Sequence, residues 1–181
     1  MQTFLPCAGF ADSAEVLDRR RLGKQRVEAL QVFRGLTVPG YGWRRHPAVR
    51  MWSGYEEALV CYGLVICAAW TAAGGADTCA GTLTEDYRRW HDTHATRTMR
   101  HTRATRPLRN TRPARPVRTQ EELARAGELP PWLGSPEFHR SHRSALVRKE
   151  PDFYRPLFPE VPDDLPYVWP TSDRERRMEE P

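Results

Sequence analysis

The chain has 181 residues, 39% hydrophobic and 28% charged, with 28 Lys and Arg against 23 Asp and Glu for a net charge of +5. That length supports one substantial core and a single domain. No run approaches the roughly 18 apolar residues of a membrane span, and the start lacks a charged-then-apolar signal pattern, so a soluble, cytoplasmic monomer is expected.

The positive charge is unevenly spread. Residues 96–119 hold eight arginines and no acid, so taking those eight from +5 leaves −3 for the rest. Nucleic-acid binding by the remainder must therefore rest on local clusters, which occur at residues 19–26, 44–50 and 139–149. The four cysteines, Cys7, Cys61, Cys67 and Cys79, form no C-x-x-C pair. Neither a zinc site nor a disulfide framework is indicated.

In chain order, Met1 to Gly9 reads as an extended arm: Phe4 and Leu5 are apolar, Pro6 forbids a helix interior and Gly9 permits a turn. Asp12 or Ser13 can cap a first helix running to Leu36. At 100° per residue, Leu22, Ala29, Phe33 and Leu36 share a stripe with Leu30 on its flank. Glu28 falls on the polar side, with Lys24 one turn and Arg21 two turns before it. A lone carboxylate thus sits among cations. Gly23 is a weak point of about 1 kcal/mol, where the helix could bend or break.

The loop Thr37 to Arg45 is rich in glycine and aromatics, and Pro47 suits the first turn of a second helix running over residues 48–73. Val49, Trp52, Leu59, Val60, Ile66, Cys67 and Trp70 make its buried stripe, so it should be the central helix. Arg26 and Glu56 interrupt the two apolar stripes and are expected to meet as an ion pair between the helices.

A short helix should follow through Trp90. Arginine then recurs at every third position from Arg97 to Arg118 among threonines and prolines. Three residues per turn is the polyproline II repeat, and the composition reads as a low-complexity insertion, outside the core, with nonspecific affinity for polyanions. Gln120 to Gly127 can form a short helix. Ser135, Pro136 and Glu137 start a last helix to Lys149 that buries Phe138, Ala145 and Leu146 and exposes His139, Arg140, Arg143 and Arg148. An aromatic, proline-rich tail follows, charged and expected to be disordered from Thr171. The expected fold is all-α, one compact domain over residues 1–170 with about four to five helices.

The pair His139 and His142 shares a helix face but lacks an acidic or cysteine third ligand, so no metal is expected there. No glycine-rich phosphate loop, serine elbow or redox cysteine pair is present.

The order of pieces resembles the pyrimidine-dimer DNA glycosylase family typified by phage endonuclease V. The features are an N-terminal arm, Leu22 six residues before Glu28, the Gly-X-X-X-His-Pro turn Gly42 to Pro47, then Gly74, Asp77 and Thr78, a final basic helix and an aromatic tail. The resemblance implies a glycosylase, with abasic-site lyase activity, acting on damaged pyrimidines in double-stranded DNA without a cofactor. It assigns the α-amine of the chain terminus as nucleophile and Glu28 as the acid-base group. Gln2 is too large for efficient methionine removal, so Met1 itself is the expected terminus. Alpha-amines titrate near about 7.7–8.0 against about 10.4 for lysine, so a useful fraction is neutral at pH 7. Arg21, Lys24 and Arg26 would hold phosphates, and Arg45, His46, His139, Arg140, His142 and Arg143 would grip the flanking backbone. One difference stands beside the glutamate, where the family has arginine and this chain has Val27. The competing reading is a noncatalytic DNA-binding module on the same basic surfaces.

Overall fold

The computed structural model describes residues 1–101 and 116–170, the side chains of 95–101 excepted; the sequence expectations for residues 102–115 and 171–181 lie outside the described residues. Every regular element among the described residues is a helix: α1 (Phe10–Glu15), α2 (Arg19–Thr37), α3 (Pro47–Arg50), α4 (Glu56–Ala72), α5 (Cys79–His101), α6 (Gln120–Arg125), α7 (Pro136–Lys149) and α8 (Pro151–Tyr154). The all-α expectation holds, with α4 packed against α1, α2, α5 and α6 at the centre.

Both long helices expected from periodicity are divided. The first breaks after Glu15, and Asp18 rather than Asp12 or Ser13 caps α2 by accepting the Arg21 N–H at 3.0 Å. Ser13 instead exchanges hydrogen bonds with the Cys7 backbone. Gly23 neither bends nor breaks α2. A Cβ there would lie 2.9 Å from Trp70 Cζ3, so glycine makes room for the indole. The second helix divides into α3 and α4 across a turn in which Gly54 has φ +89°. Trp52, fully buried in that turn, still packs on Tyr62 and Trp132.

Helices α2 and α4 run antiparallel: Gly23 faces Trp70 and Ala29 faces Gly63, while Gly35 further along α2 faces Val49 on α3. This order overturns the expected Arg26–Glu56 pair. Arg26 lies beside the C-terminal end of α4, where it binds Asp77 Oδ1 at 2.6 Å and the Ala76 carbonyl at 3.1 Å and lies over the Trp70 ring at 4.5 Å. Glu56 is at the other end of α4 and accepts the Gly54 N–H at 3.1 Å. Asp77 also accepts from the N–H groups of Cys79 and Ala80, which starts α5.

The arginine-rich segment differs from expectation at its edges. Helix α5 continues past Trp90 to His101, and Arg118 is fixed to the fold by Glu57, at 2.6 Å, and by Glu128. Thr119 beside it forms a capping box with Glu122 for α6.

The arm is the unusual part of the core. Residues Gln2 to Pro6 are buried, yet an extended strand inside helices has no neighbouring strand to satisfy its backbone. Side chains do so instead. Gln25 Oε1 accepts the Phe4 N–H at 2.8 Å, and Tyr62 donates to the Phe4 carbonyl at 2.9 Å. His142 Nδ1 accepts the Leu5 N–H at 3.0 Å, while Arg143 Nε donates to the Pro6 carbonyl at 2.7 Å. His139 completes the set through the Leu5 carbonyl at 2.7 Å and the Gly134 N–H at 3.0 Å. Its Nε2 accepts, so its Nδ1 must be the donor.

Candidate active site

The arm lies across the polar side of α2, and this buries Glu28, only 6% exposed, although no apolar stripe contains it. The amine of Met1 then stands 3.9 Å from Glu28 Oε1, and Lys24 Nζ approaches the same oxygen at 3.6 Å. Gln25 Nε2 donates to Glu28 Oε2 at 2.6 Å while its oxygen accepts from Phe4 and Tyr62. One amide therefore orients the carboxylate and pins the arm that delivers the amine. Burial, and next the Glu28 charge, push the Tyr62 phenol well above its ordinary range, so Tyr62 stays a donor.

Met1, Phe4, Lys24, Gln25 and Glu28 line a pocket of about 500 Å³, within the approximately 300–1,000 Å³ usual for small-ligand sites. Arm and α2 supply one wall. Lys149, at the end of α7, adds a cation, and His46 lines the pocket ahead of α3. The tail contributes Tyr167 and Trp169, brought there because Ser144 and Ser141 on α7 accept the N–H groups of Leu165 and Val168. The His46 ring stands edge-on to Trp169, with centroids 6.0 Å apart, and its Nδ1 caps α3 at the Ala48 N–H. Burial lowers the His46 pKa, and the nearby Met1 amine lowers it further, so a neutral imidazole is favoured.

The cations around the pocket are not equivalent. Arg21 is committed to Asp18 at 2.7 Å, Glu150 at 3.3 Å and the Lys149 carbonyl at 2.9 Å, with Tyr154 under its guanidinium. Lys24, with its side chain 70% exposed, reaches Glu28 from the solvent side, and Arg20 and Lys149 are also exposed at the pocket edge. An anion arriving from solvent meets these three first.

Of the residues singled out in the sequence, Met1, Arg21, Lys24, Glu28 and His46 converge on the pocket. Arg26 is spent on Asp77, and Arg45 is exposed on the loop before α3 without lining the pocket. The face of α7 needs correction. His139 and His142 are buried, not exposed, and hold the arm, so neither ring faces outward to a duplex. Burial pushes His142 down to about 3. Arg143 is half-buried against the arm, and with exposed Arg140 it lines a separate cavity near Ala8 and Glu160. The histidine pair is also spoken for as ligands, since three of its four ring nitrogens contact backbone.

Gln2, Arg20, Gln25, Lys149, Tyr167 and Trp169 were missed as site residues. Gln25 left a faint signal as a polar residue three before Glu28, at the margin of the apolar stripe. The tail aromatics entered the sequence reading only as an aromatic tail and not as site residues, because their placement depends on serines of α7.

No curated protein and no solved structure matches the chain. Among the described residues, no helix is long and apolar enough to cross a membrane. Residues 1–81, which contribute the arm, α2, His46 and the capped start of α5, match the model of the pyrimidine dimer DNA glycosylase family, and this match supports the family to which the order of residues pointed.

Proposed function

We propose that this pocket excises a damaged pyrimidine, such as one base of a cyclobutane dimer, from duplex DNA, using the Met1 amine as nucleophile and Glu28 as proton carrier. The family match supports a pyrimidine dimer DNA glycosylase as the general function. The observation that carries the chemistry is the 3.9 Å approach of the amine to a buried carboxylate below a rim of exposed cations.

Glu28 accepts a proton from the ammonium group, and the freed nitrogen forms a bond to the deoxyribose C1′. The C1′–N1 bond breaks, its electron pair leaving with the base, and C1′ is left bonded to a positively charged secondary ammonium nitrogen. Glu28 passes its proton to the ring oxygen and takes one from that nitrogen, so the C1′–O4′ bond breaks as the C1′=N bond forms and the sugar opens to a protonated imine. Removal of a C2′ proton then expels the 3′ phosphate, which is the lyase step. Because amine and carboxylate are both buried, the nucleotide must leave the stack to reach them, at a cost of a few kcal/mol that a distorting lesion reduces. Arg20, Lys24 and Lys149 are placed to hold the phosphates of the extruded strand.

Borohydride trapping tests the reading. Duplexes carrying a cyclobutane dimer or an abasic site should each give a covalent adduct that peptide mapping assigns to the N-terminal residue. Tight binding with no adduct and no cleavage on either duplex would instead favour a noncatalytic DNA-binding module. Excision without an adduct would leave Glu28 in place and substitute an activated water for the amine.

A further inference from the structure

Two buried side-chain nitrogens among the described residues have no hydrogen-bond partner, Nε2 of Gln2 and Nε2 of His142. The His142 ring is enclosed by Phe4, Phe138 and Tyr167 and does not line the pocket. Gln2 does line it, together with Met1 and Glu28.

The Gln2 side chain is held in one sense. Its oxygen accepts the Thr3 N–H at 2.9 Å, which leaves the NH₂ end as the unsatisfied group on a residue only 5% exposed. Burial raises the pKa of the Tyr167 phenol at the same pocket, and the Arg148 charge and next the approach of the Gln2 amide partly offset that rise, but Gln2 and Tyr167 do not reach hydrogen-bond geometry. A buried donor without an acceptor weakens the folded state, and native structures contain few of them. Its position beside the candidate nucleophile suggests that the acceptor arrives with the substrate.

We propose that Gln2 Nε2 donates a hydrogen bond to the O2 carbonyl oxygen of the departing pyrimidine and so stabilises the base as a leaving group; this rests on the glycosylase reading above. When the C1′–N1 bond breaks, the electron pair passes to N1 and is delocalised onto O2, one carbon away. O2 is the acceptor of a pyrimidine nearest the breaking bond. Residue 2 directly follows the residue that supplies the nucleophile, so the donor and the amine address the two ends of the same C1′–N1 bond. The amide keeps its proton, and the released base takes one from solvent.

Gln2→Met removes the donor, and Gln2→Glu replaces it with a carboxylate that donates only when protonated; both keep a large second residue and hence Met1. Single-turnover excision from a cyclobutane-dimer duplex is compared with borohydride trapping on an abasic duplex, which has no base to expel. Gln2→Met should slow excision by about 10²–10³-fold, the effect of losing one preorganised donor, with a far smaller loss in trapping. For Gln2→Glu, the excision rate relative to the unaltered protein should recover as pH falls from about 8 to about 5. The other ionisable groups at the pocket, the Met1 amine, Glu28, Lys24, His46 and Tyr167, are common to both proteins, so the ratio isolates the new carboxyl group. Equal losses on both duplexes would overturn the proposal and leave Gln2 as an anchor for the arm, as would undiminished excision by Gln2→Met. Failure of the unaltered protein to act on the dimer duplex would bring down the glycosylase reading itself, before any variant is compared.

Discussion

Helix α2 presents a dense run of cationic side chains and α7 a dense run of cations and histidines, yet the fold uses them in opposite ways. On α2, Arg20 and Lys24 are left at the edge of a pocket, and Glu28 and Gln25 at its base. On α7, His139, His142 and Arg143 turn inward to the backbone of Leu5 and Pro6, while Ser141, Ser144 and Arg148 bind backbone groups of the tail. The difference follows from what each helix faces. An extended segment buried among helices must find donors and acceptors in side chains, because a lost pair costs about 1–3 kcal/mol. Helix α7 lies between the buried arm and the partly exposed tail and supplies both. Polar side chains on a helix are therefore no guide to a binding surface until the unpaired backbone nearby has been counted.

The sharpest test of this division is Glu28→Gln. On α2 the change should reduce turnover on a dimer duplex by at least about a hundredfold, as expected for a positioned acid-base group, while DNA affinity and thermal midpoint stay near their original values. A large drop in the thermal midpoint would show that the Glu28 network serves the fold as much as the chemistry.

On α7 the order of effects should reverse. His142→Leu leaves the Leu5 N–H without its acceptor and should destabilise the protein by about 1–3 kcal/mol in denaturant titration, with activity falling as the arm loosens. The same residue predicts a pH response. His142 is held neutral by burial, with its pKa pushed down to about 3, and burial lowers His139 too. The unfolded chain takes up these protons near about pH 6.5 and the folded chain only below that, so stability is full above about pH 6.5 and declines towards pH 3. Each such group contributes a slope of up to about 1.4 kcal/mol per pH unit. The slope should flatten in His142→Leu, and unchanged acid sensitivity would remove His142 from this account.

The edges of the arginine-rich segment offer a milder test. Arg118→Ala breaks the links to Glu57 and Glu128 and should cost about 1 kcal/mol, allowing for partial solvent exposure. Replacing Arg103, Arg106, Arg109, Arg112 and Arg115 by serine should leave stability unchanged. It should also weaken DNA binding across all sequences and flatten its salt dependence. Loss of lesion preference with affinity intact would assign that segment a different role.

The smallest effect is expected at Lys24. Lys24→Ala should lower the slope of log affinity against log salt by about one phosphate contact with no measurable change in folding, since its 3.6 Å approach to Glu28 is made by a largely exposed side chain.

By itself, the sequence determined the helical class, a central apolar helix although drawn over 48–73 where α4 spans 56–72, the start of α7 at Ser135 and Pro136, and the placement of Glu28 on one face with Lys24 and Arg21. Each of these is local, written in periodicity, capping residues or spacing along one helix. The division of the first long helix at Asp18 was harder to read, because cap candidates at Asp12, Ser13 and Asp18 are alike in composition and the choice was decided by Tyr154, which reaches Asp18 from α8. Only the tertiary structure decided that Arg26 would meet Asp77 and not Glu56, since that depends on the antiparallel run of α2 against α4. The same holds for the site. A stripe analysis places Glu28 on a polar face and leaves it in solvent, but the arm crosses that face and brings the chain's first atom to it. Whether a carboxylate on a helix surface is solvated or buried beside an amine depends on which distant segment covers it, and the hydrogen-bond needs of that segment's backbone are what drew Gln25, Tyr62, His139 and His142 into place.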